Sequence, residues 1–266
     1  MRHPFSFVLP ETGERLRLYR NPVRLALSAS PWRAARYLAG YLLMSWALGS
    51  VAGIAAGTAA MFAVTLAGIP LMAAAAAVVR GCANVERRRL RLVSPEPVLG
   101  RYRQAAAPGR IAQAITPWKD RAIWRDLGYL VGLWLPLGIM DTVVLSIWAW
   151  FIGWMTLPLW YWAPWMDYHG RRFHGYQFGF YFPHGPDGPG TVGVFVDSLP
   201  KALLVALAGL LLFLAFNYVL VLTARAHARI ARSLLRPPTD PLAPAKEVLT
   251  RPGPLGSLHM QIPNGS

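Results

Sequence analysis

The chain has 266 residues, 55% of them hydrophobic, with a mean hydropathy of +0.34 and a formal net charge of +15. Its apolar residues fall in long runs, which excludes an ordinary water-soluble domain, and no basic stretch joins a recognition motif, which excludes nucleic acid as the reason for the charge. A single cysteine, Cys82, excludes a disulfide framework.

Residues 1–31 form an Arg-rich lead, with a short surface helix expected at Asn21–Ser28. From Tyr37 to Val79, 43 residues carry no charge. As one helix that run extends roughly 65 Å, about twice a bilayer core. It therefore predicts two spans, about 35–56 and 59–80, with a turn near Gly57–Thr58. Gly49, Gly53 and Gly57 stand four apart, with Ser45 just before them. Such a stripe lets helices touch closely, either against the second span or in a homodimer. "GCANVERRRLRLV" (81–93) continues the second span as a helix, and Pro95, Pro97, Pro108 and Gly109 mark 94–117 as loop.

The run from Leu127 to Met166 is interrupted only by Asp141 and predicts a third span over about 128–160. An ionisable residue inside such a run is costly and usually functional. Two roles stay open for Asp141: an interfacial one near a helix start set by Pro136, or a ligand or proton role with Asn217 as partner. The fourth span is 201–224.

Between these spans, "GYQFGFYF" alternates Tyr176, Phe178, Phe180 and Phe182 on one face. "PHGPDGPG" is turn-rich, and "TVGVFVDS" alternates again through Val192, Val194 and Val196. This predicts a small β-hairpin within an extracellular loop, 163–200, preceded by an aromatic belt of Trp160, Tyr161, Trp162, Trp165 and Tyr168. The hairpin reads as a lid packed on the bundle. It also reads as one wall of a site for an apolar or amphipathic ligand, with Trp165, Tyr176, Phe178, Phe180, Phe182 and Asp141 as binding candidates. His169, His174 and His184 share the loop with Asp167, Asp187 and Asp197, but their spacing fits no zinc motif. Neither metal nor cofactor is expected.

Arg225, Arg229, Arg232 and Arg236 follow the last span at helical spacing. They read as a signal-output helix or as an anchor on anionic lipid. His227, among them, lacks the acidic neighbour expected of a phosphoacceptor. Residues 237–266 are Pro-rich, and disorder is expected there.

Of 27 Lys and Arg, 24 lie before the first span, between the second and third, or after the fourth. Only Arg171, Arg172 and Lys201 lie between the third and fourth. The positive-inside rule then places both termini in the cytoplasm and the 163–200 loop outside, in a multi-pass plasma-membrane protein. The lead has the wrong layout for a signal peptide, so the first span is expected to act as its own insertion signal.

Two stretches recur. "WRAARYLAG" (32–40) matches "WRDLGYLVG" (124–132), and "VTLAGIPL" (64–71) matches "VALAGLLL" (205–212). The fold class expected is therefore an all-α membrane protein, four transmembrane helices as two repeated, parallel hairpins, with a small extracellular β-hairpin between helices three and four. No zincin, nucleophile-elbow or phosphate-loop motif occurs, and no enzyme activity is expected.

"GIPLMAAAAAVVRGCANVERRRLRL", "WRDLGYLVGLWLPLG", "TLPLWYW" and "VDSLPKALLVALAG…ARAHARIARSLL" together resemble the sensor-domain family of actinobacterial membrane proteins, a four-span module that often stands in front of histidine kinase domains. The resemblance covers about residues 28–236, hence a sensor-like domain at 32–236. It implies a sensory module in the plasma membrane of a high-GC Gram-positive bacterium. Without a kinase of its own, the chain is expected to act as a stand-alone sensor or regulatory subunit. Its expected partners are membrane lipids and a histidine kinase or transcriptional regulator, with homo-oligomerisation open. The alternative is a subunit or accessory protein of a membrane transporter.

Overall fold

The computed structural model describes residues 15–236 apart from 66, 95–96, 99, 101, 103–108, 169–170 and 183–189. At 166–168, 171–173, 177–182 and 190–195 it describes the backbone alone.

A short helix, α1 (Pro22–Leu27), is capped by Asn21, whose side chain accepts from the Val23 and Arg24 amides, and has Pro22 where a missing N–H costs nothing. Ser28 caps the long α2 (Ala29–Met61). A turn at 62–67 leads into α3 (Gly68–Leu90). Two short helices, α4 (Arg110–Ile115) and α5 (Arg121–Leu127), precede a π-turn, Gly128–Gly132, and then α6 (Trp134–Thr156) and α7 (Leu199–Leu235). Helices α2, α3, α6 and α7 are long and apolar enough to cross a membrane, and the chain is a multi-pass membrane protein.

The first turn falls later than glycine spacing suggests. Gly57 and Thr58 stay helical, since a helix in an apolar setting keeps its backbone bonds satisfied. The chain reverses where Gly68 passes so close to the Phe62 carbonyl that a Cβ there would overlap it. The third span starts at Trp134, not 128, because the π-turn breaks the α-helical ladder first.

Helices α2 and α3 form one hairpin, α6 and α7 another. In the second, Trp148 meets Asn217 and Trp154 meets Gly209, so the helices run antiparallel. Between hairpins, Trp32 packs edge-on against Trp148 (5.2 Å between centroids) and Trp46 against Trp134 (4.8 Å). Helices α2 and α6 therefore also run antiparallel, which corrects the expectation of parallel copies. The contacts follow aromatic and small-residue complementarity at the interface, which sequence similarity between halves does not encode.

The glycine stripe also finds other neighbours than expected. A Cβ at Gly49 would stand 2.8 Å from the Leu130 carbonyl oxygen, and one at Gly53 would stand 3.5 Å from Val131. Both glycines admit the π-turn, not α3, while Gly57 faces open space.

Between α6 and α7 lie four strands: β1 (Trp165–Tyr168), β2 (Arg171–His174), β3 (Tyr176–Phe182) and β4 (Gly190–Val196). β1 pairs antiparallel with β2, and β3 with β4 in the register Tyr176–Val196 to Phe182–Gly190. The base of the β3–β4 pair is anchored: Val196 joins Leu157 and Ala202 in a small buried cluster, against which Tyr176 and Trp160 pack.

Candidate functional site: a buried polar core

Where the two hairpins meet, five elements bury polar side chains together. Helix α2 supplies Tyr37 and Tyr41, α3 supplies Glu86, Arg87 and Arg89, the segment before α6 supplies Asp126 and Tyr129, α6 supplies Asp141, and α7 supplies His227. Glu86, Asp126, Asp141 and His227 are each at most 1% exposed. Burying charges in an apolar bundle costs several kcal/mol per ion unless each is paired.

Arg89 and Glu86 lie one helical turn apart, and the guanidinium holds Glu86 Oε2 at 2.6 Å. Arg89 also donates to the Tyr37 carbonyl at 2.6 Å, and its guanidinium lies over the Tyr37 and Tyr41 rings at 4.3 and 4.8 Å. The Tyr129 hydroxyl is 3.3 Å from Glu86 Oε2 and 3.3 Å from His227 Nε2. On its other side, His227 Nδ1 is 2.8 Å from Asp141 Oδ2. That contact is close enough for charge pairing, although its direction departs from a straight hydrogen bond. The result is a continuous chain, Arg89–Glu86–Tyr129–His227–Asp141, walled by tyrosine rings. Glu86 Oε1 and Asp141 Oδ1 meet no hydrogen-bonding group among the described residues.

A second cluster adjoins it. Arg87 pairs with Asp126 at 2.7 Å, donates to the Leu235 carbonyl at 3.1 Å and donates to the Tyr102 hydroxyl at 2.6 Å. Tyr102 donates in turn to Asp126 at 2.6 Å. Burial, followed by the adjoining Asp126 carboxylate, pushes the Tyr102 hydroxyl up to about 12, so it stays a donor. Burial also raises the Asp126 carboxyl above its usual range, against the opposing pull of Tyr102 and Arg87.

Among the described side chains, the predicted ligand residues Asp141, Trp165 and Tyr176 do not converge. Asp141 sits in this core beside His227, while Asn217 accepts instead from Trp148 Nε1 at 3.0 Å. Trp165 lies beyond the far end of α6, 63% exposed and stacked on His174 at 3.6 Å. Tyr176 packs edge-on against Trp160 at 5.3 Å. The side chains of Phe178, Phe180 and Phe182 lie outside the described residues, as do His169, His184 and Asp187. Among the described residues no group of three or more His, Cys, Asp or Glu could hold a metal. The four arginines of α7 also divide. Arg225 donates to the Leu16 carbonyl and Arg232 to Ser94 Oγ at 2.6 Å, so these two tie α7 to its own bundle, while Arg229 and Arg236 are exposed.

Reading motif by motif missed Glu86, Arg89, Tyr129 and His227. A signal for three of them, Glu86, Tyr129 and His227, does exist in the repeats. The register that matches 32–40 with 124–132 pairs Tyr37 with Tyr129, and the register that matches 64–71 with 205–212, carried on, pairs Glu86 with His227. In space they meet crosswise: Tyr37 stacks on His227 (5.3 Å) and Tyr129 contacts Glu86.

No curated protein and no solved structure matches the chain. A family model described as "Putative sensor" matches residues 37–235, which takes in both hairpins and the whole chain of polar contacts from Tyr37 to His227, and the protein belongs to this sensor family.

Proposed function

We propose that the chain is a plasma-membrane sensor module that detects an envelope or amphipathic signal and passes it through α7 to a cytoplasmic signalling partner, a histidine kinase or transcriptional regulator. The observation that carries this reading is the reach of α7. Near its start, Ala202 is buried against Leu157 and Val196 under the strand pair. Near its end, His227 lies in the polar core and the Leu235 carbonyl is held by Arg87. A continuous helix of 37 residues, about 55 Å, joins the two. A ligand that prefers one seating of the strand pair biases the seating of the polar end, which is what a two-state switch requires.

Copurification tests this. The wild-type chain, extracted from membranes, is expected to bring down a kinase or regulator. Arg229→Glu, on the exposed side of the output end, is expected to lose that partner while the bundle stays folded. Recovery of a transport ATPase by both proteins points to the transporter-subunit reading instead.

For sidedness, the arginine distribution supports cytoplasmic termini and an extracellular 163–200 loop, the strand pair acting as a lid. The lead packs along the middle of α7: the Tyr218 hydroxyl donates to the Tyr19 carbonyl at 2.7 Å, and Arg225 reaches Leu16. Single cysteines at Val64 and Asp197 test the arrangement. The charge count expects labelling of both from outside in intact cells. Antiparallel packing of α2 on α6 carries the two turns toward opposite ends of the bundle, so labelling of Asp197 alone from outside overturns the charge-count topology in favour of the packing. We further read the crosswise meeting of Tyr37, Tyr129, Glu86 and His227 as the mark of two duplicated hairpins related by a pseudo-two-fold axis through the core.

A further inference from the structure

We propose that the core is a proton-binding site, with one proton held by His227 between Asp141 and Tyr129. The argument is a charge count over the groups that face His227 from each element packed around it. Helix α2 contributes only the neutral hydroxyls of Tyr37 and Tyr41, and the π-turn only that of Tyr129. Helix α3 contributes Glu86 and Arg89, which cancel. Helix α6 contributes Asp141, which nothing cancels unless His227 is an imidazolium. In the neighbouring cluster Arg87 pairs with Asp126, and Arg80 lies over the Tyr102 ring at 4.6 Å, so that cluster adds no negative charge and its cations do not contact Asp141. With a neutral His227 the core holds one uncompensated negative charge at 0% exposure. Such a charge is strongly destabilising in a buried site.

The donor geometry agrees. An imidazolium donates from both nitrogens. Nδ1 lies 2.8 Å from Asp141 Oδ2, close enough for the imidazolium charge to pair with the carboxylate although off the line of a straight hydrogen bond, and Nε2–H faces the Tyr129 oxygen at 3.3 Å. Tyr129 is then free to donate its own proton to Glu86 Oε2, 3.3 Å away. Loss of the proton removes one donor and leaves the core negative, in direct contact with the α7 segment that also carries Arg225 and Arg232. The bound species is a proton taken from water, and no other co-reactant is needed.

The inference rests on the sensor reading only for its use. The proton count is measured on the isolated chain, so failure to find a signalling partner and failure to find the proton are separate results. The full-length chain in detergent micelles is unfolded by denaturant at fixed pH values between about 5 and 8, the range in which histidine titrates. Where the unfolded chain has lost the histidine proton and the folded site still holds it, the unfolding equilibrium constant of the wild type should rise by up to about tenfold per pH unit more than that of His227→Gln or Asp141→Asn, and the excess slope ends once the folded site too releases the proton. The other five histidines of the chain are common to all three proteins and drop out of the comparison. Asp141→Asn removes the unbalanced charge at nearly constant volume, so it provides the test if His227→Gln fails to fold. In histidine-labelled wild-type protein, one resonance should keep an imidazolium shift at a pH where exposed histidines are neutral. Equal pH dependence in wild type and variants, with no such resonance, overturns the proposal.

Discussion

Replacing Arg89 with alanine is expected to destabilise the bundle by about 3–5 kcal/mol, the range seen when one member of a buried ion pair is removed. The side chain acts in three ways at once. It pairs with Glu86 at 2.6 Å, donates to the Tyr37 carbonyl at 2.6 Å, and fills the space over two tyrosine rings. Alanine leaves Glu86 without its paired cation, in the field of the Asp141 carboxylate. The penalty comes chiefly from the orphaned carboxylates, so Glu86→Gln combined with Arg89→Gln should cost less than the two single changes added together, because residues in one network couple. Denaturant unfolding of the wild type, Arg89→Ala, the two single glutamine variants and the double variant in micelles measures this. A loss under about 1 kcal/mol for Arg89→Ala, the level of an exposed pair, contradicts the buried network.

The second large effect is expected at Gly209. A Cβ there would stand 2.7 Å from Trp154 Cβ, 3.2 Å from the Met155 amide nitrogen and 3.3 Å from the Phe151 carbonyl oxygen. Two of these are backbone atoms and cannot swing aside, so Gly209→Val must push α6 and α7 apart. Overpacking of this kind costs about 1–3 kcal/mol. Separation also strains the hydrogen bond from Trp148 to Asn217, two turns further along α7. Gly57→Val is the matched control. Nothing lies within 4 Å of a Cβ at Gly57, so a change within about 0.5 kcal/mol is expected, as for surface positions. Thermal unfolding midpoints of the two variants in the same detergent decide it. Equal midpoints contradict the close approach of α6 and α7.

These two sites differ in how far the sequence announces them. The glycine stripe on α2 is visible as a spacing, and small residues in an apolar helix do mean close approach. The spacing cannot name the neighbour, which is the π-turn at Leu130 and Val131. Gly209 belongs to no stripe and shows only against Trp154. Asp141 is visible as the one charge in its run, but its partner lies 86 positions further on, at His227. Glu86, Arg87 and Arg89 sit in a run of charges that looks like a solvated helix face, yet all three point inward.

Four apolar helices, their charged ends and membership of a sensor family followed from the sequence alone. Charge-free length against bilayer thickness is a one-dimensional quantity, and a motif order is read along the chain. The tertiary structure alone decided that α2 runs antiparallel to α6, that the halves meet crosswise at Tyr37, Tyr129, Glu86 and His227, and that the core is polar. Pairing of buried charges depends on distances of about 3 Å between residues far apart in the chain, and no local pattern carries that information.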